Sequence, residues 1–214
     1  MKPLGILGGT FDPVHYGHLR PAQEILRALD LAEVCLVPAF HPPHRRPPVA
    51  TAEQRLRMVE LAVAGIPGFR VDDREIRRGG PSYTVLTLES LRAEHAERAL
   101  CLLLGMDAFE DIESWHQWKR LPQLANFIVI ARPGWEMPAA GDLPAWARDR
   151  LVRTPDEIAR SSAGKIIFQP ATPQDISATS VRAAIAGGEP VDGLLPPAVI
   201  DYIRRHRLYR SRNN

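Results

Sequence analysis

Short apolar runs rich in Val, Ile and Leu recur along this 214-residue chain at Leu4 to Leu7, Val34 to Val37, Leu100 to Leu104 and Phe127 to Ile130. Each is short for a helix and lacks the polar alternation of a strand with one wet face, so each predicts a strand buried on both faces. Ile166 to Phe168 is a fifth candidate. Amphipathic stretches of helical length lie between them, at His18 to Leu29, Ala52 to Ala64 and Tyr83 to His95, and Val199 to Arg205 adds another near the end. Such alternation dictates βαβ units with right-handed crossovers. The expected fold is α/β: a doubly wound, mostly parallel sheet with helices on both faces, residues 1–214 forming a single domain. Between Trp135 and Gly164 only a helix near Ala145 to Leu151 is legible.

Several function classes drop out on composition. The formal charge of +2 is too small for a protein that coats nucleic acid, so Lys and Arg must act by placement. No apolar run approaches the roughly 20 residues of a bilayer span. Cys35 and Cys101 sit singly inside apolar runs, which suits reduced thiols packed as small hydrophobes and a soluble, cytoplasmic protein.

The residues that carry chemistry begin with Gly8-Gly9-Thr10-Phe11-Asp12-Pro13-Val14-His15-Tyr16-Gly17-His18, between the first strand and the first helix. Paired glycines let backbone approach an anion closely, and a helix start adds N–H groups and a positive dipole end. His15 and His18, three apart, can turn toward one ligand and donate to phosphate oxygens. A zinc site is not expected: no Glu intervenes and no third ligand is apparent. The second string is Ile176-Ser177-Ala178-Thr179-Ser180-Val181-Arg182, which reads as a capped helix ending at Gly187-Gly188. Arg182 in its first turns opposes the macrodipole unless an anion offsets it, as a triphosphate would. Pro38 to Pro48, with two His and two Arg, is a loop leaving the carboxyl end of the second strand, where open α/β sheets hold ligands.

Together GTFDPVHYGH and ISATSVR make the chain resemble the histidine-motif nucleotidyltransferases, which have a Rossmann-like sheet. It is most similar to the bacterial nicotinate mononucleotide adenylyltransferases, through PPHR at Pro42 to Arg45, PSYT at Pro81 to Thr84, LGMD at Leu104 to Asp107, Trp115 and ARPG at Ala131 to Gly134. The resemblance implies adenylyl transfer from ATP to nicotinate mononucleotide in NAD biosynthesis; the alternative is another adenylyl- or cytidylyltransferase of the superfamily acting on a different phosphorylated acceptor. It implies that Gly8, Gly9, Thr10, Phe11, His15, His18, Ser177, Thr179 and Arg182 bind ATP, with His15, His18 and Arg182 catalytic. It further implies that Thr84 and Trp115 hold the nicotinate ring, that Arg45 and Arg132 lie near phosphates or the ring, and that Asp107 approaches a ribose or the metal-bound phosphates. Mg²⁺ is expected to arrive mainly on the ATP phosphates, with no dedicated metal site in the protein. ATP and nicotinate mononucleotide are the expected partners, without nucleic acid or membrane; a homo-oligomer stays open. In this chain Arg45 replaces a frequent Lys, Ala178 a frequent Ser and His116 a common Tyr.

Overall fold

The computed structural model describes residues 1–43, 46–131, 143–172 and 174–210. From the start of the chain, β1 (Leu4–Gly9) leads into α1 (Tyr16–Ala28), then β2 (Glu33–Pro38), α2 (Ala52–Val63), β3 (Phe69–Val71), α3 (Arg74–Arg78) and α4 (Thr84–Glu94). Then follow β4 (Leu100–Gly105), α5 (Met106–Glu110), two 3₁₀ turns at Ile112–Ser114 and Trp118–Arg120, α6 (Leu121–Leu124) and β5 (Asn126–Ala131). The remaining elements are α7 (Ala145–Arg148), α8 (Pro155–Ala159), β6 (Ile166–Pro170), α9 (Ala178–Gly187) and α10 (Pro197–Arg205).

The strands form one six-stranded sheet in the order β3-β2-β1-β4-β5-β6, with β1/β4, β4/β5 and β5/β6 parallel. Reversal of winding after β1 makes the sheet doubly wound, as the alternation of runs predicts. Register sets Leu4 beside Leu100 and Ile6 beside Leu102, and Phe127 beside Ile166. All five expected strands form. β3 escapes sequence reading because its three residues are half-buried and too few to show a period. The short α3, α5, α6 and α8 are missed for a similar reason: at four or five residues none completes an apolar stripe.

The described residues gather into two compact units, each drawn from several stretches: one from Met1–Leu7, Pro21–Cys35 and Tyr83–Pro173, the other from Gly8–Arg20, Leu36–Ser82 and Gln174–Asn214. In the first, α4 packs on α6, and the Arg92 guanidinium donates to the carbonyls of Leu124 at 2.7 Å and Ser162 at 2.7 Å. A ring cluster of Phe109, Trp118, Phe127 and Trp146 fills its outer part. Trp146 lies on α7, which is four residues long and shorter than the helix expected there. Burial pushes the Cys101 thiol up to about 12, so this sulfur stays protonated and packs as a hydrophobe. In the second unit α10 packs on α2. α2 begins with a capping box in which Thr51 accepts from the Gln54 N–H and Gln54 accepts from the Thr51 N–H.

Candidate functional site

Strand β1 runs through Gly8 and Gly9, two residues further than its apolar run, because the Gly9 carbonyl still accepts from the Ala39 N–H at 2.9 Å. A Cβ on Gly8 would meet nothing within 4 Å, so the chain is open there to an incoming group. On Gly9 it would strike the Phe11 ring at 2.9 Å. Phe11, at φ 51, is buried beneath this turn and meets His18 edge-on at 5.1 Å between centroids. Thr10 is half-buried above it.

The two histidines do come together. Their rings stack at 3.8 Å with 29° between planes, and the His15 N–H donates to His18 Nδ1 at 3.3 Å. That bond makes Nδ1 an acceptor, which puts the ring proton of neutral His18 on Nε2. His15 is buried, and no group among the described residues pairs with its Nδ1. A buried bare acceptor is tolerated better than a buried unpaired N–H, which again assigns the proton to Nε2. Burial also lowers the His15 pKa from 6.5 to about 4. Two imidazolium cations at about 4 Å would repel by about 4 kcal/mol at an effective dielectric constant of 20. The pair therefore presents N–H donors rather than two fixed charges.

This burial has a consequence for stability. Between pH 6.5 and about 4 the unfolded chain takes up a proton on His15 that the folded chain refuses. Stability is complete above pH 6.5 and falls as pH drops toward the folded value, by about 3 kcal/mol for a shift of this size. Urea titrations of the wild type and His15→Asn at pH 7 and pH 4 check it: the wild type should lose about 3 kcal/mol more than the variant. Parallel losses would show that the ring is protonated in the folded state.

The second string meets the first. Ser177 caps α9 by accepting from the Ser180 N–H at 3.0 Å, and Ser180 Oγ accepts from the Ser177 N–H at 3.1 Å, so Ser177 and Ser180 both serve the cap. Gly188 ends the helix in the left-handed region at φ 75, as its sequence predicts. Arg182 donates from Nη1 to the Asp12 main-chain oxygen at 2.7 Å and from Nη2 to Thr179 Oγ1 at 3.3 Å. The α1 start touches the residue before that cap: a Cβ on Gly17 would fall 2.8 Å from the Ile176 oxygen. One N–H at this helix start is already spent, since Tyr16 donates to the Leu194 oxygen at 2.9 Å.

Three residues organise this region without having been singled out in the sequence. Asp12, which precedes a cis Pro13, is buried, and its carboxylate accepts from the N–H groups of Val49 at 2.8 Å and Ala50 at 3.1 Å. Tyr209 is buried and donates its hydroxyl to Asp12 Oδ1 at 2.7 Å. Arg55, 1% exposed, donates to the carbonyls of Thr10 at 2.6 Å and Phe40 at 3.1 Å. A signal for Arg55 was present: it falls at helical spacing on the buried stripe of Ala52, Val59 and Ala62, where a cation needs a reason.

Of the expected acceptor residues, Thr84, Asp107 and Trp115 belong to the other unit. Thr84 is the half-buried first residue of α4, Asp107 is exposed in the first turn of α5, just past the carboxyl end of β4, and Trp115 is half-buried after the first 3₁₀ turn. Tyr83 and His116, chain neighbours of Thr84 and Trp115, stack at 4.1 Å, which joins the start of α4 to the 115–116 turn. Arg45 and Arg132 lie outside the described residues. Among the described residues no group of three or more His, Cys, Asp or Glu side chains is placed to hold a metal ion, and no helix is long and apolar enough to cross a membrane.

The family model of cytidylyltransferase-like proteins matches residues 6–184. A protein of Methylococcus capsulatus described as a probable nicotinate-nucleotide adenylyltransferase is 46% identical over 207 residues, 96% of this chain and 99% of its own. Another of that description, from Aeromonas hydrophila, is 47% identical over 212 residues, 97% of each chain. Among solved structures, Plasmodium falciparum nicotinic acid mononucleotide adenylyltransferase complexed with NaAD superposes with a TM-score of 0.73 at 19% identity, covering 98% of each chain. At that identity the likeness speaks for the fold.

Proposed function

Because the chain belongs to the cytidylyltransferase-like family and, within it, to the nicotinate-nucleotide adenylyltransferases, we propose that it moves the adenylyl group of ATP onto nicotinate mononucleotide, giving nicotinate adenine dinucleotide and pyrophosphate for NAD biosynthesis. The observation that carries the reading is the meeting of the two motifs: stacked His15 and His18 at the start of α1, and Arg182 of α9 bonded to Asp12 of the same glycine-led turn.

The acceptor phosphate is a monoester with a second pKa of about 6, so at neutral pH it is largely dianionic and attacks the α-phosphorus in line without a general base. The protein's work is then to hold two anions together and to offset charge growing on the α-phosphate and the departing pyrophosphate. Gly8, Gly9, Thr10 and Phe11 shape the backbone against the triphosphate, the Nε2–H groups of His15 and His18 donate to it, and Arg182 supplies positive charge with Ser177 and Thr179 beside it. ATP enters as its magnesium complex, the ion held by phosphates and water. The carboxylate of the first motif suits that arrangement, since Asp12 is occupied by Val49, Ala50 and Tyr209. Thr84, Trp115 and Asp107, with Arg45 and Arg132, form the acceptor side. The working protein is a single nucleotidyltransferase domain, and two buried free cysteines suit the cytoplasm.

Pyrophosphate release measured over a panel of phosphorylated acceptors tests this, with magnesium and with excess chelator. Nicotinate mononucleotide should lead the panel, and the chelated reaction should stop. A different best acceptor, or full activity in chelator, would refute the corresponding part. Nicotinamide mononucleotide should be the poorer substrate, because main-chain N–H groups beside a ring held by Thr84 and Trp115 would serve both oxygens of a carboxylate, whereas an amide turns its NH₂ toward one of them. A buried donor left unpaired costs about 1 to 3 kcal/mol, roughly a ten- to hundredfold loss in kcat/KM for each group. Equal kcat/KM for acid and amide would remove this basis of selection.

A further inference from the structure

Past the end of α10 the chain turns back through two non-glycine residues in the left-handed region, Arg207 at φ 52 and Tyr209 at φ 61. Side chains with a Cβ disfavour that region, so two such residues within three positions need a reason. Bonds from the N–H of Arg207 to the Arg204 oxygen at 3.3 Å and from that of Leu208 to the Ile203 oxygen at 3.1 Å hold the turn. Its result is a buried phenol whose hydroxyl donates to Asp12 Oδ1 at 2.7 Å. Burial and the Asp12 charge both raise the Tyr209 pKa, so the hydroxyl keeps its proton and remains a donor.

Asp12 offers Arg182 two kinds of oxygen. The guanidinium bonds the neutral main-chain oxygen at 2.7 Å, while the anionic Oδ2 stands 3.9 Å from the same Nη1. A carboxylate with free lone pairs is the stronger partner for a guanidinium and takes it in a two-pronged bond. Here the Val49 N–H takes one lone pair of Oδ2, while the Ala50 N–H and the Tyr209 hydroxyl fill both lone pairs of Oδ1, so no two-pronged bond is open to Arg182.

We propose that Tyr209 is a positioning residue for Arg182: by occupying Oδ1 of Asp12 it keeps the guanidinium tethered to the main-chain oxygen and leaves its charge for the phosphates of a bound nucleotide. This rests on the adenylyltransferase reading above. Without the hydroxyl a lone pair opens on Oδ1, and Arg182 takes both carboxylate oxygens in a two-pronged bond and is neutralised there.

The experiment is a double-mutant cycle on the full chain, with pyrophosphate release from ATP and nicotinate mononucleotide as the assay and thermal melting as the control. Tyr209→Phe should melt as the wild type does and lose roughly tenfold in kcat/KM for ATP. In the Arg182→Ala background the same change should have no further effect. Tyr209→His, which keeps a ring and an N–H donor, should lie closer to the wild type than Tyr209→Phe. An equal loss in both backgrounds, an unchanged Tyr209→Phe, or a Tyr209→Phe chain that fails to fold each overturns the proposal. A wild type that releases no pyrophosphate overturns the functional reading itself, and it does so before any variant is made.

Discussion

Replacing His18 with alanine will lower kcat by on the order of 10²- to 10³-fold while the protein still folds. Stacking on His15, the edge of Phe11 and the bond from the His15 main-chain N–H to its Nδ1 all place the ring. They hold the ring in one orientation, and a donor aimed at growing charge contributes most in the transition state. The fold loses little, because the bond given up is long at 3.3 Å and the start of α1 keeps its tie from Tyr16 to Leu194. Steady-state kinetics with saturating ATP and thermal melting check the two halves. A near-normal kcat with only a raised KM would show that His18 binds the ground state and does no more. Removing His15 as well should cost less than the sum of the single effects if both serve one phosphate site.

Gly17→Ala should be nearly as damaging, for a different reason. The new methyl would lie 2.8 Å from the Ile176 carbonyl oxygen and 2.8 Å from His15 Nδ1. Neither neighbour can yield cheaply. The Ile176 oxygen is main chain directly before the Ser177 cap, so moving it moves α9 and Arg182 with it; turning the His15 ring breaks its stack on His18. Overpacking of this kind costs about 1 to 3 kcal/mol in stability. Separating Arg182 from the histidines by about an ångström should cost about a hundredfold or more in kcat/KM. Gly8→Ala is the control: its methyl meets no protein atom within 4 Å, so that variant should melt as the wild type does and any loss should appear in ATP binding alone. A Gly17→Ala enzyme with wild-type kinetics would show that the two motifs are not in van der Waals contact at this point.

The sheet was legible because buried parallel strands need unbroken apolar residues, and LCLLLG at β4 is buried along all but its last position. The residues expected to hold a phosphate follow from the chemistry of holding an anion, and the cap of α9 was legible because Ser177 and Gly188 have geometric jobs. Hidden were the residues that act on other residues. Asp12 was inside a quoted motif, but nothing local tells that its carboxylate serves the N–H groups of Val49 and Ala50 and a hydroxyl 197 positions away. Tyr209 reads as an ordinary aromatic until the turn at Arg207 places it. The depressed pKa of His15 was equally invisible, since burial of a polar ring depends on tertiary packing and its spacing from His18 does not report it.

The unit that holds His15, His18 and Arg182 is assembled from Gly8–Arg20, Leu36–Ser82 and Gln174–Asn214, so its last part is separated from the others by the long stretch Tyr83–Pro173 of the other unit. During synthesis His15 and His18 leave the ribosome early, but Arg182 and then Tyr209 emerge only after Thr84, Asp107 and Trp115 have already been made. A fragment that stops before residue 182 therefore lacks Arg182, and one that stops before residue 176 lacks the whole ISATSVR string. Such a fragment cannot bring the two motifs together, so the meeting of His15 and His18 with Arg182 waits for most of the chain.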